Sequence, residues 1–526
     1  MIIINSAAYT TPEIQAEFGK LPPCLLPIGN RKLLEYQVSM LRNTYDEKIV
    51  VSLPENFKIT IDEQMLFTSL EIDCVFVPSD LSLAHGLLYI LDTFDHADKE
   101  PLRLLHGDTF LDEVPKNSNL IAVVASDPVV ENKHALKAEL NQSGSSLQWC
   151  GYFSFSSSAD FISALRLSQG NFKEAVRIYA ELVALEYPKI IGWYDLGDVE
   201  TYFVSRAQIT TQRVFNSLRI ENGTVRKSGT PHMKILAETE WFKRLPSALI
   251  HYTPQLIDSG IDIESGTPFY VLEYLHLPPL NEILVHGRNP NSFWKEIFNL
   301  ISIFFRDTRN SFASLNKNNQ TETIQIDARN LYEDKTFSRL EEFAKSSGID
   351  LNAPTAYDRR KLHSLHQIAK DCISRTLELP LIPTVLHGDF CFSNILYDSQ
   401  RRSIKVIDPR GLNQKQELTI LGDQKYDLAK VCHSVIGLYD FIFAGRYQIE
   451  NKESEAQKIV FRVDERLLRI QEAFTKSNLL PGITTKEILP LTVLLFLSML
   501  PLHADRPDRQ QAMLINALRL YTEYLD

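Results

Sequence analysis

Cysteine is scarce in this chain: six among 526 residues, with no CxxC pair and no zinc-type spacing. A zinc ribbon is thereby excluded, and the six read as reduced thiols of a cytoplasmic protein. Positive charge is in deficit, at a formal net −11, which argues against the basic footprint that a nucleic-acid partner requires. A membrane-length apolar run is missing as well. The longest candidate, residues 488–502, contains Pro490 and Pro501 and gives way to a polar stretch at 503–509. At about fifteen residues it falls short of a bilayer span, so a buried helix is expected and no membrane insertion. The opening stretch Met1 to Asn5 is too short and uncharged for a signal peptide and reads as a buried strand. Internal repeats and low-complexity tracts are absent, and residues 316–319 read as a polar loop.

What is present starts with a compact polar motif in the second half. His387-Gly388-Asp389-Phe390-Cys391-Phe392-Ser393-Asn394 follows an apolar lead-in, Pro383-Thr384-Val385-Leu386. Ile395-Leu396-Tyr397 then reads as a strand, residues 398–402 as a polar turn, and residues 403–407 as an alternating strand ending at Asp408. Such a hairpin brings Asn394 and Asp408 to one end. Two oxygen donors meeting there suit a hard cation such as Mg²⁺. An Asp, an Asn five positions on, and a second Asp after a strand form the layout of a phosphotransfer centre.

The motif resembles the aminoglycoside phosphotransferase and choline kinase group of the protein-kinase-like fold. That resemblance implies Asp389 as catalytic base, Asn394 and Asp408 as Mg²⁺ ligands, and Asp427 as the brace of the catalytic loop. Upstream, residues 217–227 read as a hairpin with an Asn222-Gly223 turn, followed by a helical stretch from Met233. The resemblance makes Lys227 the phosphate-contacting lysine and Glu238 its helix partner, with Glu240 competing for that role. Residues 269–275, including Glu273, correspond to the strand and hinge beside the adenine of ATP. A Gly-x-Gly-x-x-Gly loop is absent, which departs from protein kinases. Arg410 either approaches an anionic group as a bidentate donor or pairs within the fold. The aromatics of residues 293–305 read as core, not as a cage for a quaternary ammonium; Trp241 and Tyr274 are weaker cage candidates still.

The first 210 residues read differently. Strand-like runs at Met1 to Asn5, Lys48 to Leu53, Cys74 to Val77 and Leu102 to Thr109 alternate with helical stretches. The expected fold class is therefore α/β, a doubly wound and mostly parallel sheet followed by a two-lobed α+β domain. Gly107-Asp108 falls at the carboxyl end of a core strand, where such sheets bind ligands. This segment resembles the nucleotidyltransferases that activate sugar phosphates and phosphocholine, on Leu21-Pro22-Pro23-Cys24-Leu25-Leu26-Pro27-Ile28-Gly29, Gly107-Asp108 and Trp193-Tyr194-Asp195-Leu196-Gly197-Asp198. The resemblance implies Asp108 and Asp195 as metal ligands, with Asp198 as fallback for the second. The family's Gly-rich triphosphate loop is missing: residues 6–11 hold no glycine, and the Pro-Lys position reads Pro22-Pro23. Lys20 is the only basic residue before Arg31 and takes the charge role alone.

Length predicts about three domains, met by a nucleotidyltransferase-like domain at 1–208 and a phosphotransferase-like domain at 209–526, its small lobe near 209–277 and its helical lobe near 278–526. Their joint is expected between 205 and 212. Together the resemblances imply a bifunctional enzyme. One half phosphorylates a small sugar, polyol or amino alcohol with ATP and Mg²⁺. The other activates the product with a second NTP, CTP favoured by analogy with the choline pathway, for bacterial surface polysaccharide such as capsule. The alternative is an active kinase with a non-catalytic sugar-nucleotide-binding module. A drug-modifying phosphotransferase leaves the first 210 residues without a use. The oligomeric state is left open by the sequence.

Overall fold

The computed structural model describes residues 1–94, 101–125, 147–211, 218–315, 320–451 and 456–526. The polar loop expected at 316–319, the first residue of the hairpin at 217 and the end of the expected joint at 212 lie outside these. Contacts divide the chain into two compact units, Met1–Thr210 with His286–Arg288, and Thr211–Val285 with Asn289–Asp526.

The N-terminal unit is built on strands β1 (Ile2–Asn5), β2 (Ile49–Pro54), β3 (Asp73–Val77), β4 (Leu102–His106), β5 (Thr109–Leu111), β6 (Leu120–Ala125), β7 (Leu147–Phe155) and β8 (Trp193–Asp195). Six of them form one sheet in the order β3-β2-β1-β4-β7-β6. The first four are parallel, β7 runs antiparallel to β4, and β6 runs antiparallel to β7. Ile2, Ile3 and Ile4 are all fully buried, as expected of a parallel strand covered on both faces. The strand order reverses between β1 and β4, so the loops leaving their carboxyl ends part and open a crevice. Gly107 serves that crevice by letting backbone approach. A Cβ there would stand 2.6 Å from the Ser6 hydroxyl oxygen, and its N–H donates to the Asn5 carbonyl at 2.8 Å. A separate ribbon pairs β8 with β5, setting Asp195 opposite Thr109.

The C-terminal unit opens with β9 (Leu218–Glu221), β10 (Thr224–Ser228), helix α1 (His232–Arg244), β11 (Leu256–Ile261) and β12 (Pro268–Glu273), the strands ordered β9-β10-β12-β11. Asn222 and Gly223, both at positive φ (49° and 71°), make the tight turn between β9 and β10. The rest is mainly helical, including α2 (Asn291–Leu315) and α3 (Asp334–Ser347). Set among these helices are β13 (Pro383–Val385), the hairpin β14 (Ile395–Asp398) with β15 (Ser403–Val406), and β16 (Leu421–Asp423) leading into α4 (Lys425–Val435). Pairing of Ile395 with Val406 puts Asn394 and Asp408 at one end of that hairpin. Helix α5 (Thr485–Met499) carries the apolar run. The helix is 15 residues long; counted with the turn after it, it spans 19 residues, long and apolar enough by length and composition to cross a membrane, where the run of about fifteen read from sequence falls short. Every residue from Ile488 to Ser498 is buried in this unit, which accounts for the composition.

Gly411 sits at φ +65°, and a Cβ there would meet the Ala237 carbonyl oxygen of α1 at 2.2 Å. Gly445 has φ +70° and open space around its Cβ position. Gly445→Ala is expected to cost about 1 kcal/mol from backbone strain alone and Gly411→Ala clearly more. Thermal unfolding of the two variants side by side checks the ranking.

Candidate active sites

In the C-terminal unit the chain leaves β13 and turns at Gly388, whose φ is +80°. The turn is held from below by one carboxylate. Asp427, on the first turn of α4, accepts the His387 N–H at 2.9 Å and the Gly388 N–H at 2.8 Å. Burial pushes the Asp427 carboxyl up to about 7, against the pull of those two amides. His387 is a pin, not an acid or base. Its Nε2 lies 3.0 Å from the Ile407 carbonyl and its Nδ1 accepts the Asp389 N–H at 3.3 Å. These partners assign the neutral Nε2–H tautomer. Burial, outweighing Asp389, holds the ring at about 4.

Asp389 stands above this turn and lines a cleft of about 510 Å³. Lys430 lies 2.8 Å from its Oδ1, and Asn394 Nδ2 donates to its Oδ2 at 3.1 Å. The surrounding protein favours the neutral acid, but the Lys430 ammonium wins and holds Asp389 at about 2. A carboxylate that acidic is a weak base, which suits a reaction whose loose transition state asks for positioning more than for proton removal.

Asp408 follows β15 in a left-handed conformation at φ +56°, a region that Asp tolerates better than most residues. Its Oδ1 lies 3.0 Å from the ammonium of Lys227, which also meets Glu238 Oε2 at 2.8 Å. Glu238 is fully buried on α1 and accepts the Tyr270 hydroxyl at 2.7 Å. Burial opposes the charge on Lys227, but Asp408 and Glu238 together raise its pKa. Glu240 points elsewhere, pairing with Arg244 at 3.2 Å on the surface. Asp389, Asn394, Asp408, Glu238 and Arg410 all line the one cleft. Glu273 is not among its lining; its exposed side chain accepts the Gln255 N–H at 3.3 Å. Cys391 is buried beside Asp389 and its thiol is pushed up to about 12, chiefly by burial, so it is no thiolate nucleophile.

In the N-terminal unit a cleft of about 280 Å³ opens at the switch point. Asp108 follows β4, and its carbonyl accepts the Leu196 N–H at 2.9 Å. The β5–β8 ribbon thus delivers Asp195 beside it. A Cβ on Gly197 would lie 3.0 Å from Asp108 Oδ2 and 3.2 Å from Asp195 Oδ1, so both carboxylates converge on that glycine. Burial first, then the Asp108 charge, raises Asp195 to about 7. Asp198 is turned to its own helix, where its Oδ1 accepts the Glu200 and Thr201 N–H groups, each at 3.0 Å. Two carboxylates kept together against their repulsion fit a divalent cation. Among the described residues no group of three or more His, Cys, Asp or Glu could hold a metal, so any ion in either cleft would draw further oxygens from its substrates.

Several polar atoms around this cleft are buried without a partner among the described residues: His106 Nε2, Gln148 Nε2, the indole N–H groups of Trp149 and Trp193, and the Thr10 and Thr11 hydroxyls. Each such group costs about 1–3 kcal/mol unless something bonds to it, and a polar ligand would. Lys20 does not line the cleft; it is exposed, its ammonium 4.1 Å from the ring centroid of Tyr9, which does. Sequence reasoning missed Lys430, although its i,i+3 spacing from Asp427 on one helix was visible. It also missed Lys335, His106, Gln148 and Trp149, for which only His106, next to Gly107, left a signal.

No family model matches the chain, and no curated protein matches it. Among solved structures it is similar to the inositol-1-phosphate CTP transferase from T. maritima, at 12% identity over 40% of this chain and 95% of that one, with a TM-score of 0.31. It is similar to a UDP-glucose pyrophosphorylase complexed with UDP-glucose, at 15% over 40% and 98%, TM-score 0.31. It is also similar to a putative aminoglycoside phosphotransferase from Ralstonia eutropha, at 11% over 62% and 99%, TM-score 0.35. Likenesses of this size carry no argument about chemistry, which rests on the side chains described above.

Because Asp195 is raised above the ordinary carboxylate range, the folded N-terminal unit binds its proton more tightly than the unfolded chain does. Its contribution to metal-free stability is present below about pH 4 and is lost as pH rises toward 7. Unfolding midpoints in EDTA across that window should therefore fall for the natural chain relative to Asp195→Asn. Added Mg²⁺ should raise the midpoint of the N-terminal unit in the natural chain at pH 8 and leave that unit's midpoint unmoved in Asp195→Asn.

Proposed function

We propose that the chain is a bifunctional transferase: residues 209–526 a small-molecule kinase and residues 1–208 a nucleotidyltransferase acting on the kinase product. The observation that carries the kinase half is the convergence of Asp389, Asn394 and Asp408 in one cleft with the buried Lys227–Glu238 pair. ATP binds with Lys227 on its phosphates, and Asn394 and Asp408 are the residues that would hold Mg²⁺. The bound ion would neutralise and orient the donor phosphates. Asp389 orients the acceptor hydroxyl and takes its proton as the oxygen attacks the γ-phosphorus. The bond to the β,γ-bridging oxygen breaks and ADP leaves. Positioning and charge neutralisation supply most of the acceleration.

In the N-terminal cleft, Asp108 and Asp195 would hold the second Mg²⁺. A phosphate oxygen of the phosphorylated compound attacks the α-phosphorus of an NTP, and pyrophosphate leaves. CTP is the favoured nucleotide. The product is an activated headgroup, of the sort consumed in surface polysaccharide synthesis in the cytoplasm. Covalent linkage of the two units raises the local concentration of the intermediate at the second site.

A second reading makes the N-terminal unit a non-catalytic sugar-nucleotide-binding module. Its specific support is the glycine-free loop at residues 6–11, where Lys20 is stacked on Tyr9.

The test is mass spectrometry of small molecules after incubation with Mg²⁺, ATP, CTP, GTP, UTP and a pool of hydroxyl compounds. Asp389→Asn should lower phosphorylation by several orders of magnitude with an unchanged unfolding midpoint. Asp108→Asn should abolish the NDP-linked product and pyrophosphate release while sparing phosphorylation. Near-normal turnover in Asp389→Asn would remove the base assignment. If every accepted phosphorylated compound fails to yield pyrophosphate with any NTP, the binding module is the better account.

A further inference from the structure

Three cations crowd one phenol ring in the C-terminal cleft. The Lys335 ammonium lies 5.6 Å, the Arg410 guanidinium 5.9 Å and the Lys430 ammonium 6.0 Å from the ring centroid of Tyr426. Lys335 also donates to the Tyr426 hydroxyl at 3.1 Å. Like charges held this close repel, and only one of the three is neutralised. Lys430 has Asp389. Among the described residues, neither Lys335 nor Arg410 forms an ion pair with a carboxylate. The acids that line the cleft are Glu238, Asp389 and Asp408, and each already faces a lysine.

The cluster belongs to Asp389 rather than to the nucleotide lysine. Lys430 grips Asp389 directly. The stem of Arg410 lies across Gly388, where a Cβ would meet it at 2.7 Å. Lys227 and Asp408, by contrast, pair with each other and carry the donor-phosphate role. The ionisation of the cluster reflects its excess positive charge. Burial would raise the Tyr426 phenol, yet the three cations bring it down to about 8. Lys335 is lowered by burial and by Arg410 and Lys430. An aromatic cage for a quaternary ammonium is not formed by α2, whose Trp294, Phe298 and Phe305 are sealed in the core.

We infer that Lys335, Arg410 and the Tyr426 hydroxyl form a subsite for an anionic group on the phosphate acceptor. The acceptor is then a small hydroxyl compound bearing a carboxylate or a phosphate, not an amino alcohol such as choline. A guanidinium and an ammonium without carboxylate partners are suited to an incoming anion, whereas a cationic substrate would enter against an uncompensated field. The inference rests on the kinase reading of this cleft.

The experiment uses the full chain and two probes. Mg·AMP-PNP binding is measured by calorimetry first, and inorganic phosphate is then titrated into the AMP-PNP-loaded protein, so that donor-phosphate positions are filled. Phosphate should bind to the natural chain. Its affinity should fall at least tenfold in Lys335→Met and in Arg410→Met, be largely kept in Lys335→Arg, and leave AMP-PNP affinity within about twofold. Phosphorylation of glycerate and glycerol 3-phosphate is compared with that of glycerol and choline, the first two separating a carboxylate from a phosphate source. Failure of AMP-PNP to bind the natural chain would remove the kinase reading itself. Failure of phosphate to bind the loaded chain, equal losses for both probes in the Met variants, or preference for choline over the anionic compounds would overturn the subsite and leave the kinase standing.

Discussion

Two backbone N–H groups closing on one buried carboxylate set the geometry of the C-terminal cleft. Asp427 holds His387 and Gly388, and from that grip the rest follows. The His387 ring is turned onto the Ile407 carbonyl, which ties the turn to the strand carrying Asp408. Asp389 is lifted toward Lys430 and Asn394. A buried carboxylate is costly, and the two amides are what make this one tolerable. Asp427, His387 and Asp389 are tied in one chain of hydrogen bonds, so that none of the three moves without stranding another.

The N-terminal unit meets a different constraint. Its sheet supplies a crevice at no cost in strain, because strand order alone parts the loops. The expense lies in setting Asp108 beside Asp195 and in leaving indole, imidazole and amide groups unpartnered around them. A fold keeps such groups only where something else completes them. Both clefts keep polar atoms open toward their space, but only the C-terminal one rests on a buried carboxylate braced by two amides.

Much of this was legible in the sequence. The Asp389–Asn394–Asp408 spacing and the alternation of residues 395–397 and 403–407 fixed a hairpin whose end gathers two oxygen donors. The isoleucine run at the N-terminus and Gly107-Asp108 indicated a parallel sheet with a crevice. The choice between Glu238 and Glu240 was not legible, since both lie on α1 and only packing buries the first. Lys335 was invisible for the same reason: it lies 54 positions before Asp389 in the chain, and nothing local marks a lysine that tertiary structure will bring to a phenol. Lys20 and Glu273 stand exposed outside the clefts' linings, because proximity in sequence to a site does not aim a side chain into it. The apolar run of α5 was legible both in length and in burial, since an unbroken run without charge has to be covered by the rest of its unit.

One contact has a bearing on how the C-terminal cleft fills. Lys227 touches both Glu238 and Asp408 before any nucleotide arrives. Asp408 is thus already paired with a cation. On the proposed kinase reading, loading would be an exchange of counter-ions, in which the lysine yields one carboxylate and turns toward incoming phosphate while its other carboxylate keeps hold of it. The local charge would stay nearly constant through such a handover, and the lysine would move on a tether that is already tied.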